Sequence, residues 1–166
     1  VILQHPTEVF QSKGTGRLLH LCMKNSQILV GETFDETQRA EIVGDAKKQC
    51  VLLFPKTPND KLPQAQPGIE SSSREKRRVI LLDGTWRKAR KMLKLNPWLE
   101  ALPRIDLPPT ESLYRIRKAQ KPGQLSTLEA AYWTMKQAGE EPSELLSVFE
   151  RFMNKQANWQ DTLKTE

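Results

Sequence analysis

The sequence predicts an α/β fold in which a largely parallel sheet is flanked by helices. Three observations carry that expectation. Short apolar runs alternate with helix-like segments along the 166 residues, the order that builds βαβ units. Two of the runs, Val51 to Phe54 and Val79 to Leu82, are apolar at every position, as strands covered on both faces are. The helix-like segments carry one apolar stripe each: Leu128, Ala131, Tyr132 and Met135 fall at i, i+3, i+4 and i+7, and Leu145, Phe149, Phe152 and Met153 do much the same further on.

Taken in order, the strands are expected at Val1 to Leu3, Ile28 to Val30, Val51 to Phe54, Val79 to Leu82 and a short piece around Ile105 to Leu107, with Leu113 to Ile116 as a further candidate. The two continuously apolar runs are placed at the centre of the sheet. Helices are expected at Arg17 to Lys24, Glu36 to Lys48, Trp86 to Leu95, Leu128 to Gln137 and Glu144 to Asn158. Between the central strands, residues 55 to 74 carry Pro55, Pro58, Pro63, Pro67 and Gly68 with few apolar side chains. A long excursion is expected there, of the kind that is functional or disordered. The chain opens on Val1-Ile2-Leu3 without an initiator methionine, so the numbering is expected to begin inside a longer protein.

A hydrophobic content of 37% over this length suits a single domain with one core. The formal charge of +6 comes with only 7% aromatic residues, which favours an anionic partner, nucleic acid first. A solvated basic face is the alternative. Cys22 and Cys50 lie in apolar surroundings and read as small hydrophobes. His20 and one cysteine do not make a zinc site, which needs four ligands, so no metal is expected. No apolar run approaches the roughly 20 residues that cross a bilayer, and no signal-peptide pattern opens the chain. A cytoplasmic protein with no membrane association and no obligate protein partner is expected.

The strongest local feature is Leu81-Leu82-Asp83-Gly84-Thr85-Trp86. A buried strand ending in an acid and a glycine before a helix puts Asp83 at the carboxyl edge of the sheet, where open α/β folds bind ligands. Alternatively, Asp83 or Thr85 caps the helix. On that helix Arg87, Arg90, Lys91 and Lys94 share one face, while Trp86, Ala89 and Leu93 take the other. Like charges at these spacings repel, and a phosphate backbone would neutralise them. Ser126 and Glu129 have capping-box spacing, marking a helix start whose N–H groups can also face a ligand. Upstream, Tyr114-Arg115-Ile116-Arg117-Lys118 alternates basic and apolar residues, which would line Arg115 and Arg117 on one strand face, either as RNA contacts or as ordinary edge charges.

In Asp83-Gly84-Thr85-Trp86 with its basic helix, in Leu53-Phe54-Pro55, in Leu107-Pro108 and in Ser126-Thr127-Leu128-Glu129-Ala130, the chain resembles the DTW-domain family of tRNA-uridine aminocarboxypropyltransferases. The resemblance covers most of the chain and implies a relation to the SPOUT class, with a C-terminal trefoil knot. It implies that S-adenosylmethionine is the group donor, cradled by Leu53, Phe54, Pro55, Leu82, Leu107, Leu125, Ser126, Thr127 and Glu129. It implies Asp83, Thr85 and Trp86 at the catalytic centre, with Asp83 the candidate base, and Arg87, Lys88, Arg90, Lys91, Lys94, Arg115 and Arg117 on tRNA, whose variable loop is the expected target. Family members often carry a cysteine-rich zinc segment ahead of the region where this sequence begins, and truncation is its expected fate. A SPOUT-type RNA methyltransferase and a non-catalytic RNA-binding module are the competing readings.

Overall fold

The computed structural model describes residues 1–44, 49–55, 77–108, 110, 112 and 125–162. Within them five strands form one sheet: β1 (Ile2–Gln4), β2 (Ile28–Val30), β3 (Cys50–Leu53), β4 (Arg78–Asp83) and β5 (Arg104–Ile105). The order across the sheet is β2-β1-β4-β3-β5, and every pairing is parallel. β4 is the middle strand and β3 its neighbour, which places the two apolar runs inside the sheet. The helices are α1 (Thr15–Cys22), α2 (Glu36–Val43), α3 (Trp86–Leu95), α4 (Pro97–Glu100), α5 (Thr127–Gln137) and α6 (Ser143–Thr162).

Because side chains alternate across a strand, each strand feeds two cores. Ile2, Val51, Leu53, Leu81 and Ile105 point to one face, where Leu19 of α1, Leu128 of α5 and Leu145 and Phe149 of α6 cover them. Leu3, Leu52 and Ile80 point to the other, under Ile42 of α2, Ala89, Met92 and Leu93 of α3, and Leu99 of α4. The result is a three-layer α/β/α arrangement with helices on both faces, the cover a parallel sheet requires.

Several boundaries differ from those the sequence suggests. α2 stops at Val43, because Gly44 takes φ 64°, a left-handed residue that ends a helix; residues 45–48 of the expected longer helix lie outside the described residues. α1 begins at Thr15 instead of Arg17. α4 and a 3-10 turn at Pro6–Glu8 were not foreseen, although both begin on a proline at the first helical position. The candidate strand at Leu113 to Ile116 and the excursion from residue 56 onward also lie outside the described residues. Among those described, no helix is long and apolar enough to cross a membrane.

Both cysteines behave as hydrophobes. Cys50 is buried and donates its thiol to the Val43 carbonyl at 3.2 Å. Cys22 packs against the first core. Burial raises the pKa of each thiol, which keeps both in the unreactive protonated form at neutral pH.

Candidate active site

Strand order determines where a site can form. From β1 the chain returns to β2 on one side through α1; from β4 it proceeds to β5 on the other side through α3 and α4, which lie on the opposite face. The carboxyl ends of β1 and β4 are therefore a topological switch point, where the two diverging connections leave a crevice. Gln4 and Asp83 are in register at those ends, and the His5 N–H continues the pairing by donating to the Asp83 carbonyl at 2.9 Å.

Asp83 lies at this crevice with 5% of its surface exposed. Its carboxylate accepts from Gln4 Nε2 at 2.8 Å and from the Thr127 hydroxyl at 2.6 Å. It is not the helix cap: Thr85 is, its hydroxyl accepting from the Lys88 N–H at 3.4 Å. The carboxylate also lies against the first turn of α1, where a Cβ at Gly16 would come within 2.4 Å of Asp83 Oδ2. Only a residue without a side chain lets the α1 helix end approach the acid so closely. Gly16→Ala should therefore lower the thermal melting temperature, although glycine-to-alanine in a helix ordinarily stabilises by about 1 kcal/mol. Overpacking costs about 1–3 kcal/mol, and a raised melting temperature would show that Asp83 does not sit where described.

Around Asp83 a cavity of about 570 Å³ opens, within the range of small-molecule sites. Leu53 at the end of β3 with Phe54 and Pro55 after it, Leu82 to Trp86 from the end of β4 into α3, Leu107 after β5, and Leu125, Ser126 and Thr127 at the start of α5 all line it. Glu129 does not. It is 1% exposed, and it completes the capping box by accepting from the Ser126 N–H at 2.7 Å while also accepting from Ser112 at 2.9 Å. Its role is to hold the start of α5, whose Leu128 N–H is in turn donated to Thr15 of α1 at 3.3 Å. Trp86 meets Phe54 edge to face, ring centres 5.7 Å apart, and the fully buried Arg104 lies 5.5 Å over the Phe54 ring and donates to the Pro55 carbonyl. The aromatic wall is thus held from behind.

Arg87, Arg90, Lys91 and Lys94 are all exposed along α3. Lys91 also reaches Glu32 at 2.7 Å, and Glu32 accepts from the buried His5 at 2.5 Å. The Lys91 hydrogen bond first, and then His5, hold the Glu32 carboxyl below its usual pKa. Lys88 stands apart from this face: it is in the cavity wall, paired with Glu8 at 2.7 Å. Arg115 and Arg117 lie outside the described residues.

The segment after β1 is the part of the site that sequence reasoning passed over. Glu8, Gln11, Lys13, Gly14 and Thr15 line the cavity, and Gln4 holds Asp83. The signal was available, because Gln4-His5-Pro6 is a run of polar and turn-forming residues at a strand end, the same kind of position that drew attention to Asp83. Ile105, Asp106 and Pro108 complete the far wall.

No solved structure gives a significant match to the chain. The family model of the DTW domain matches residues 1–157. It takes in every described wall of the cavity, including the Asp83-Gly84-Thr85-Trp86 turn at its floor, and by that match the chain belongs to the DTW-domain family.

Proposed function

We infer that the chain has a tRNA-modifying role, with which its membership of the DTW family is consistent. We propose that the chain is a tRNA-uridine aminocarboxypropyltransferase, moving the 3-amino-3-carboxypropyl group of S-adenosylmethionine to N3 of a uridine, with the variable loop as target. The observation that carries the reading is the buried Asp83 carboxylate, held by Gln4 and Thr127 on the floor of a nucleoside-sized cavity at the switch point. The residues fit such a donor: Leu82, Leu107 and Leu125 offer apolar surface, and the starts of α3 and α5 offer N–H groups. A SPOUT-like threading of the C-terminal half belongs to the same proposal.

The donor's sulfonium supplies an activated carbon. In the transfer a bond forms from uridine N3 to Cγ, the Cγ–S bond breaks with its electron pair going to sulfur, and the N3 proton must leave. In this reading Asp83 orients the uracil imide and accepts that proton. Its two fixed hydrogen bonds hold the carboxylate in one geometry before substrate arrives. Thr85 secures the helix that follows, and Trp86 with Phe54 forms the aromatic wall against which a ring can stack.

Incubation with unmodified tRNA and S-adenosylmethionine should yield 5′-methylthioadenosine. Release of S-adenosylhomocysteine would identify a methyltransferase instead, and the absence of any thermal shift with the donor would leave only RNA binding. For the basic face, Arg90→Glu combined with Lys94→Glu should weaken tRNA binding by at least tenfold in a filter-binding assay and flatten its salt dependence, since each lost phosphate contact removes about one unit of slope. Unaltered slope would take α3 out of the RNA interface.

A further inference from the structure

We propose that Glu8 and Lys88 together form the subsite for the amino-acid end of the donor, Lys88 taking its carboxylate and Glu8 its ammonium. This inference rests on the reading above. The two side chains are ion-paired at 2.7 Å in the cavity wall, 14% and 23% exposed.

Stability alone does not account for the pair. Lys88 is in the first turn of α3, a turn without any acidic residue, where the helix dipole disfavours a cation. Half-buried ion pairs also return little net stability once desolvation is counted. The local backbone nevertheless accommodates this cation. A Cβ at Gly84 would lie 3.3 Å from Lys88 Cβ, a tight contact, and 3.9 Å from its Cδ, so the Lys88 stem runs close alongside the turn that follows Asp83. Glu8 is fixed from its own side, its N–H donated to the His5 carbonyl at 2.9 Å and its carbonyl accepting from Gln11 at 3.0 Å.

A fixed cation beside a fixed anion is complementary to a zwitterion, in which ammonium and carboxylate share one carbon. Both partners have capacity to spare, since an ammonium has three donors and a carboxylate about four acceptor positions. Gly14 and Thr15, at the start of α1, line the same cavity and bring the positive end of a helix to it. Lys88 follows Asp83 by five residues and both line the cavity with Glu8, so gripping the amino-acid end there would hold the connecting carbons in the cavity that the acid faces. Such a subsite would select the aminocarboxypropyl arm for transfer by restraining it.

The test is calorimetric titration of the intact chain with S-adenosylmethionine, S-adenosylhomocysteine and 5′-methylthioadenosine, the last of which lacks the amino-acid end. Lys88→Met and Glu8→Gln should each weaken the first two ligands by roughly 10- to 100-fold, the loss of one charge-assisted hydrogen bond. Affinity for 5′-methylthioadenosine should be unchanged, which also reports an intact fold. Equal weakening of all three ligands, or no change in any, overturns the subsite. So does a Lys88→Met chain that loses tRNA affinity while keeping that for S-adenosylmethionine, because Lys88 is then a phosphate contact. If the unaltered chain binds none of the three nucleosides, the transferase reading fails with it.

Discussion

Asp83→Asn is expected to lower the initial rate of 5′-methylthioadenosine formation by about 100- to 10,000-fold, the span of a positioned acid–base group. Asparagine keeps the shape of the side chain, and the Gln4 amide and Thr127 hydroxyl that now donate to Asp83 can both turn to suit it. The fold and the affinity for S-adenosylmethionine should therefore hold while the charge is lost. Asp83→Ala should be as inactive and less stable, since it leaves two buried polar groups without their acceptor at about 1–3 kcal/mol. The comparison separates chemistry from support. An Asp83→Asn chain that retains the unaltered rate at saturating tRNA and donor would remove Asp83 from the reaction both as a base and as a charged orienting group.

Phe149→Ala should produce the largest loss of stability. Phe149 is fully buried on α6, in the cluster that joins Ile2, Val51, Leu53 and Leu81 of the sheet to Leu19 of α1 and Leu128 of α5. Removing a buried phenyl ring costs about 3–5 kcal/mol, which at about 2–4 °C per kcal/mol for a chain of this size lowers the melting temperature by roughly 6–20 °C. A fall of under about 2 °C in a calorimetric scan would mean that α6 does not dock on this core. The consequence extends to the site, because α5 is held between α6 and α1 and its first turn supplies the Thr127 hydroxyl to Asp83.

The layer architecture and the place of one acid can be read from the chain alone. Runs such as Val51-Leu52-Leu53-Phe54 are apolar at every position because both faces of the strand are covered, and that property is local enough to read without a structure. The start of α5 was equally legible: Ser126 and Glu129 sit three residues apart and cap each other within one turn. Asp83 was visible as the acid ending an apolar strand, and the basic face of α3 as a spacing of like charges.

Which residues meet is set by the folded sheet. Gln4, 79 positions from Asp83, reaches it only because β1 and β4 are neighbours in register, and strand order is set by packing across the whole sheet. Gly16 reads as an ordinary helix glycine until the close approach of Asp83 shows why no side chain fits there. Lys88 belongs by spacing to a run of cations, yet its stem runs alongside Gly84 toward Glu8, 80 positions away, and so joins the cavity. Glu129 sits in a motif expected to touch a ligand, but the cap that makes it recognisable turns it inward, fully buried. Local signals give the elements and their ends because they arise within a few residues; the partners of a buried acid or a paired lysine come from distant parts of the chain, and only the folded arrangement of the sheet brings them together.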